Sequence, residues 1–302
     1  MSRDTYHEAS DGFRARNADT WTEEKLMILH AYANGFAQAC KSAGGWYGLD
    51  LFSGTGMNYS TTRLEEMPGS PLILLEAGAP KATKVLCSEG SRRNHAALSA
   101  RCEPYGARAV IYPRGDANEL VPQMLADVPV RAPAFAFLDP EGSELHWSTV
   151  EAIAAHKRAQ PRKVEQLILF PTDTGFVRLI ADHPEKVDRM FGHGRWREIA
   201  AARLAERITA DEARGDYVRL YGDGLRELGY ATVLDKQMQK QSGSPLYFLI
   251  FATDHPAGRR IMDSCFDKVK LRVIEELGQG RLFDMAEPRV PRRTRLGEDG
   301  LG

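Results

Sequence analysis

Tyr47-Gly48-Leu49-Asp50-Leu51-Phe52-Ser53-Gly54-Thr55-Gly56 decides how this chain folds. An apolar run ends in an acid, and two glycines follow within six residues. A strand buried on both faces takes this form where it opens into a tight loop with few side chains. Gly54 and Gly56 have no Cβ, so they tolerate positive φ and let a ligand lie against bare backbone N–H groups. In an open α/β sheet, ligands sit beyond the carboxyl ends of the strands, and Asp50 leaves its strand at that edge.

Working outward, apolar runs recur at 84–89, 109–112, 134–138 and 166–170, with helical stretches at 91–102, 118–126 and 148–158 between them. Five β-then-α units in series predict a mostly parallel, Rossmann-like sheet with helices on both faces. Upstream, Thr20 and Glu23 have capping-box spacing ahead of a helix that puts Leu26, Leu29, Ala33 and Phe36 on one face. Lys25, His30 and Tyr32 on that helix read as structural residues of a helix packed across the sheet edge. The polar stretch 57–69 reads as a surface loop or as a lid, before a helix signalled by Ser70 and Pro71.

After 170 the rhythm breaks. Residues 173–229 are amphipathic and helical, and read as a helical insertion or subdomain. Two further strands, 231–234 and 245–252, are joined by the polar 236–244, a length that suits an antiparallel pair. A last helix is expected over 257–277. The predicted organisation is a flexible arm (1–18), one domain (19–278) and a disordered tail (279–302) that carries Arg289, Arg292, Arg293 and Arg295.

The chain has 302 residues, 43% hydrophobic and 27% charged, an ordinary soluble composition. A net charge of −1 makes no global case for nucleic acid or an acidic membrane, though it leaves room for a local basic groove. No apolar stretch is long enough to span a bilayer, and no secretory signal is read in the polar first residues. Cys40, Cys87, Cys102 and Cys265 are scattered without a CxxC pair, which argues against zinc and disulfides and fits a reducing cytoplasm. No Ser-His-Asp or metal-ligand spacing emerges, and His146 and His193 read as solvated loop residues.

Chemistry concentrates on four acids at the ends of four successive strands: Asp50, Glu89, Asp116 and Asp139. Carboxylates at strand tips accept hydrogen bonds from ribose hydroxyls, an adenine amino group or an amine. Taken singly, each acid also reads as a helix N-cap or a solvated turn. A dinucleotide loop does not fit, because Tyr59 stands where the third glycine belongs.

The order of these acids resembles class I methyltransferases that use S-adenosylmethionine. The resemblance implies their sheet, with an antiparallel strand near the end. It implies that Phe52, Gly54 and Gly56 help hold the cofactor, the glycines cradling its methionine part. Asp50 would face the amino group, Glu89 the ribose hydroxyls and Asp116 the adenine amino group. Asp139-Pro140-Glu141-Gly142 is similar to the motif of amino-group methyltransferases, which implies that Asp139 orients or deprotonates an N or O acceptor. That family's stacking aromatic is missing here, with Trp147 nearby, so a small molecule and a nucleic-acid base both stay open as acceptors. Cytosine-carbon methyltransferases need a Pro-Cys nucleophile, which this sequence lacks.

A closer resemblance runs along nearly the whole chain. Trp21-Thr22-Glu23-Glu24-Lys25, the delayed Gly69-Ser70-Pro71-Leu72, Phe137-Leu138-Asp139-Pro140, Phe191-Gly192 with Trp196, and 246–252 together resemble the three-Cys-motif partner (TcmP) family. That resemblance implies a methyltransferase-like enzyme with a separate three-cysteine-motif protein as partner. It also admits an alternative, a non-catalytic binding module on the same fold.

Overall fold

The structure is a computed structural model that describes residues 5–157, 160, 162–240 and 243–276. The expected disordered tail, 279–302, lies outside the described residues.

The chain begins with a hairpin, β1 (Tyr6–Glu8) and β2 (Arg14–Ala18), and runs into α1 (Thr20–Ala39). The central strand β3 (Tyr47–Asp50) is followed by a second hairpin, β4 (Met57–Ser60) and β5 (Glu65–Pro68), and by α2 (Ser70–Glu76). Then come β6 (Lys84–Cys87), α3 (Arg92–Cys102), β7 (Ala109–Ile111), α4 (Ala117–Ala126), β8 (Ala134–Leu138), α5 (Trp147–Ala155) and β9 (Glu165–Pro171). Four helices fill the next span: α6 (Thr174–Asp182), α7 (Pro184–Phe191), α8 (Trp196–Leu204) and α9 (Ala210–Glu227). The antiparallel pair β10 (Thr232–Gln239) and β11 (Pro245–Thr253) precedes α10 (Pro256–Glu276). No described helix is long and apolar enough to cross a membrane.

Seven strands form the main sheet in the order β10-β11-β9-β8-β3-β6-β7. The pairs β9–β8, β8–β3, β3–β6 and β6–β7 are parallel, and β11 is antiparallel to both its neighbours. This is a Rossmann-like sheet, mostly parallel with an antiparallel strand near its end, and β3 stands at the point where the strand order reverses. Period-two alternation sorts the side chains. Phe135, Phe137, Leu167, Leu249 and Phe251 pack with α1, α2 and α10 on one face. Ala136, Leu138, Ile168, Phe170 and Ile250 pack with α4, α5, α7 and α9 on the other.

Three sequence expectations are corrected. Residues 5–18 are not a loose arm, and 57–69 is not an irregular loop. Their short strands join in a second, four-stranded sheet, β1-β2-β4-β5, in which Arg16 lies opposite Asn58 in parallel register. The capping box is also absent. Asp19 is the N-cap of α1 without a side-chain bond, and Glu23 instead accepts a 2.5 Å hydrogen bond from Ser60 Oγ and pairs with Arg63 at 3.4 Å. Buried Glu23 thus ties α1 to the second hairpin, a contact no local spacing encodes.

The small sheet is fastened to the large one by Arg101 on α3, which is 6% exposed. Its guanidinium donates to Asp11 Oδ2 at 2.7 Å and Oδ1 at 2.9 Å, to the Arg14 carbonyl at 3.1 Å and to the Thr55 carbonyl at 2.8 Å. Partial burial pushes the Asp11 carboxyl up, but the Arg101 bonds, the Phe13 N–H and the guanidinium charge outweigh it and hold it below its ordinary value.

Arg101→Met is expected to lower the unfolding free energy by about 3–5 kcal/mol in urea at pH 7, since it strands a buried carboxylate. A depressed native pKa stabilises above the unfolded value of about 3.9, and that stability is lost as pH falls through the native one. The gap between the parent protein and Asp11→Asn should therefore close in acid below about pH 4, read by denaturant midpoints.

Candidate active site

A cleft runs along the carboxyl ends of β3, β6, β7 and β8. It comprises two adjoining cavities of ≈ 500 Å³ and ≈ 630 Å³, which share Arg16, Phe52, Gly54, Thr55, Asp139 and Glu141 as lining. Each is of the size that holds a small organic ligand.

The loop after β3 is built to leave backbone uncovered. Gly54 has φ +63° and Gly56 φ +76°. A Cβ on Gly54 would meet no atom within 4 Å, so that position faces the open cleft. A Cβ on Gly56 would lie 3.4 Å from Leu98 Cδ1 and 3.7 Å from Arg101 Cδ, so its bareness serves packing against α3. The loop is held by Gly69 N–H donating to the Gly56 carbonyl at 2.9 Å and by Thr55 Oγ1 donating to the Met57 carbonyl at 2.5 Å.

The smaller cavity takes Glu89, Asp116 and His146 into its lining, with Tyr6 from β1. Glu89 is half-buried and accepts from the Ser91 N–H at 2.6 Å; desolvation raises its pKa against that bond. Asp116 is exposed and caps α4, its Oδ1 accepting from Asn118 N at 2.8 Å and Asn118 Nδ2 at 2.8 Å. Asn118 also bonds His146 N–H and Thr149 Oγ1, so this corner is a fixed polar network.

Asp50 stands apart. It is fully buried and lines neither cavity. Neither of its carboxylate oxygens closes a hydrogen bond among the described residues, although the Ser70 hydroxyl and the Phe52 N–H lie close. Burial, opposed by those two groups and reinforced by the nearby Asp139 and Glu89, pushes its pKa up to about 7. An orphaned buried carboxyl just behind a bare loop is an electrostatic demand for positive charge.

The larger cavity contains an arrangement that sequence reasoning passed over. Lys25 Nζ lies 2.5 Å from Asp139 Oδ2, with the two side chains 9% and 21% exposed. The ammonium also sits 5.9 Å from the Tyr247 ring centroid, and the Tyr247 hydroxyl donates to the Trp21 carbonyl at 3.2 Å. A signal for this existed in the sequence. Lys25 falls on the helical stripe of Leu29, Tyr32 and Phe36, where a solvated lysine does not belong. Trp147, the aromatic expected near Asp139, instead packs edge-on to Tyr221 in the core, their centroids 5.0 Å apart.

Arg16 of β2 reaches across the cleft to Glu141, their side chains 45% and 60% exposed. The structure thus brings Phe52, Gly54, Gly56, Glu89, Asp116 and Asp139 to one cleft, with the Cβ side of Gly56 turned to α3, and leaves Asp50 beneath them.

No family model and no curated protein matches the sequence. Among solved structures, the chain is similar to M. jannaschii TYW2 in complex with AdoMet, at 9% identity and TM-score 0.41, over 84% of this chain and 87% of that one. It is similar to an O-methyltransferase from Bacillus cereus in complex with SAH, at 13% identity and TM-score 0.41, over 76% and 80%. It is also similar to the O-methyltransferase TomG from Streptomyces achromogenes in complex with SAM, at 13% identity and TM-score 0.43, over 76% and 80%.

Proposed function

We propose that this protein is an S-adenosylmethionine-dependent methyltransferase that acts on an N or O acceptor. The observation that carries the reading is the Gly54 turn. It opens backbone into a two-chambered cleft at the reversal point of the sheet, with an unpaired buried carboxyl directly behind it. The residues present suit that cofactor. Phe52 and Gly54 line both chambers, Glu89 and Asp116 offer acceptors in the smaller one, and Asp50, whose ionisation burial opposes, would give up its proton more readily beneath a cationic ligand. When bound, the cofactor supplies an electrophilic methyl group.

The chain's own part is positioning. Asp139 is engaged through Oδ2 by Lys25, which leaves Oδ1 to accept a hydrogen bond from an acceptor in the larger chamber. Trp21, Leu169 and Tyr247 give that chamber an apolar wall that limits water. Orientation of a nucleophile at this distance scale supplies much of the rate of a displacement.

The finer assignment, membership of the TcmP family with a three-cysteine-motif protein as partner, is part of the same proposal and rests on the sequence resemblance. The alternative is a partner-binding module without turnover. The Lys25–Asp139 pair favours it, since it occupies one oxygen of the proposed acceptor-orienting group.

Titration calorimetry with S-adenosylmethionine tests the reading. The parent protein should bind, and Gly54→Val should weaken binding at least about 100-fold without unfolding, because it puts a β-branched side chain at positive φ into the cleft. Undiminished affinity in that variant would remove the loop from the site. Asp139→Asn and Lys25→Met should keep cofactor affinity within about threefold yet lose about 10²-fold or more in transfer of labelled methyl to cell extract. If the parent protein transfers nothing to any extract, the module reading stands instead.

Asp50 generates a pH prediction. Its raised native pKa means that the folded state holds a proton which the unfolded state releases, so stability falls as pH rises from about 4 to about 7 and then levels. Asp50→Asn should flatten that slope and be the more stable protein at pH 8, while gaining less from added cofactor in thermal melts.

A further inference from the structure

At the opposite end of the sheet lies a third cavity, of ≈ 460 Å³, beside the first residues of β8 and β9. It shares no lining residue with the two cavities of the cleft. Its floor holds Lys157, only 3% exposed. An ammonium has three donors, and among the described residues this one makes a single hydrogen bond, to the Ala132 carbonyl. Desolvation pushes it down to about 8, and the Arg162 charge adds to that, although Asp254, Cys40 and Glu165 oppose.

The acids nearby do not meet this need. Glu165 already accepts from the Tyr32 hydroxyl and, at 2.7 Å, from Thr253 Oγ1. Burial pushes its pKa up to about 7, against the Tyr32 and Thr253 hydrogen bonds. Asp254 accepts from the Lys163 backbone N–H at 2.9 Å, and no ion pair joins it to Lys157. At the rim stand Arg131 and Arg162, both exposed, neither of which makes a hydrogen bond or ion pair among the described residues. Phe36, Val130 and Ile261 supply an apolar flank.

We infer that this cavity binds a small phosphate-bearing molecule, with Lys157 and the guanidinium groups of Arg131 and Arg162 holding the phosphate and the apolar flank receiving the rest. Four cationic side chains, Lys157, Lys163, Arg131 and Arg162, line the chamber with two acids, Asp254 and Glu165, an excess of positive charge that suits a dianion better than a carboxylate. A buried cation with donors to spare is a strained arrangement until an anion or its equivalent arrives. The volume matches a small ligand.

The test is calorimetric titration of the full chain with inorganic phosphate at constant ionic strength, with chloride as control. Saturable binding is expected. Lys157→Met, and separately the double variant Arg131→Gln with Arg162→Gln, should each raise the phosphate Kd at least tenfold. The rim variant involves exposed side chains only, so it reports on binding even if the Lys157 variant folds poorly; thermal melts check both. The inference is overturned if phosphate gives no saturable heat. It is equally overturned if the rim variant and a folded Lys157→Met bind phosphate as the parent does, or if only polynucleotide binds.

Discussion

One guanidinium holds the architecture of the cleft together. Arg101 has a fork of donors and spends it on three separate segments: the turn of the first hairpin, the strand that follows it, and the carbonyl of Thr55 within the glycine loop. Without it the small sheet keeps, at this corner, the weaker bond of Arg14 to the Ser91 hydroxyl at the start of α3, 2.9 Å long. Its position on α3 is itself fixed, because Leu98 and Cys102 of the same helix are buried in the core. The shape of a ligand site is thereby coupled to helix packing on the reverse side of the loop, where Gly56, at φ +76°, lines the cleft and turns its Cβ side to Leu98 and Arg101.

The electrostatics of the cleft follow from how its charges are shared out. Asp139 has a partner and Asp50 has none. The paired carboxylate sits where an acceptor is expected, and the unpaired one sits where a cationic cofactor is expected. The negative charge of Asp139 raises the cost of ionising the buried Asp50. Lys25 relieves that repulsion from a helix on the far side of the chain's first turn. Its role is to keep the acid at the tip of β8 aimed and tolerable in a chamber walled by Trp21, Leu169 and Tyr247.

The strands of the large sheet and their glycine turn were legible in the sequence because each is a run of apolar residues closed by a polar breaker. That signal is local and strong. The hairpins were not legible, since Arg14–Ala18 and Glu65–Pro68 are short, polar and without apolar alternation. They exist by virtue of bonds spanning 37 residues, as in Glu23 to Ser60, and 90 residues, as in Arg101 to Asp11. The acids Glu89, Asp116 and Asp139 were placed at the right edge, for the order of strands dictates it. Asp50 was expected to face a ligand, but as the last residue of a strand covered on both faces it is sealed in. Lys25 was read as a structural residue, because helical periodicity was applied to its apolar neighbours and not to the charged residue riding among them.

The bridge from Arg16 to Glu141 deserves a last thought as a matter of kinetics. Both partners are about half in water, and exposed pairs of this kind contribute about 0–1 kcal/mol, little more than thermal energy. The backbone that carries Arg16 is fixed, since it pairs with Tyr6 on one side and Asn58 on the other and the Arg101 fork holds the carbonyl of Arg14 on the same strand. Only the Arg16 side chain is loosely held, at the mouth where the two chambers meet. Molecules too large to slip past Arg16 can therefore come and go on the timescale of a surface contact, while the core beneath them stays folded.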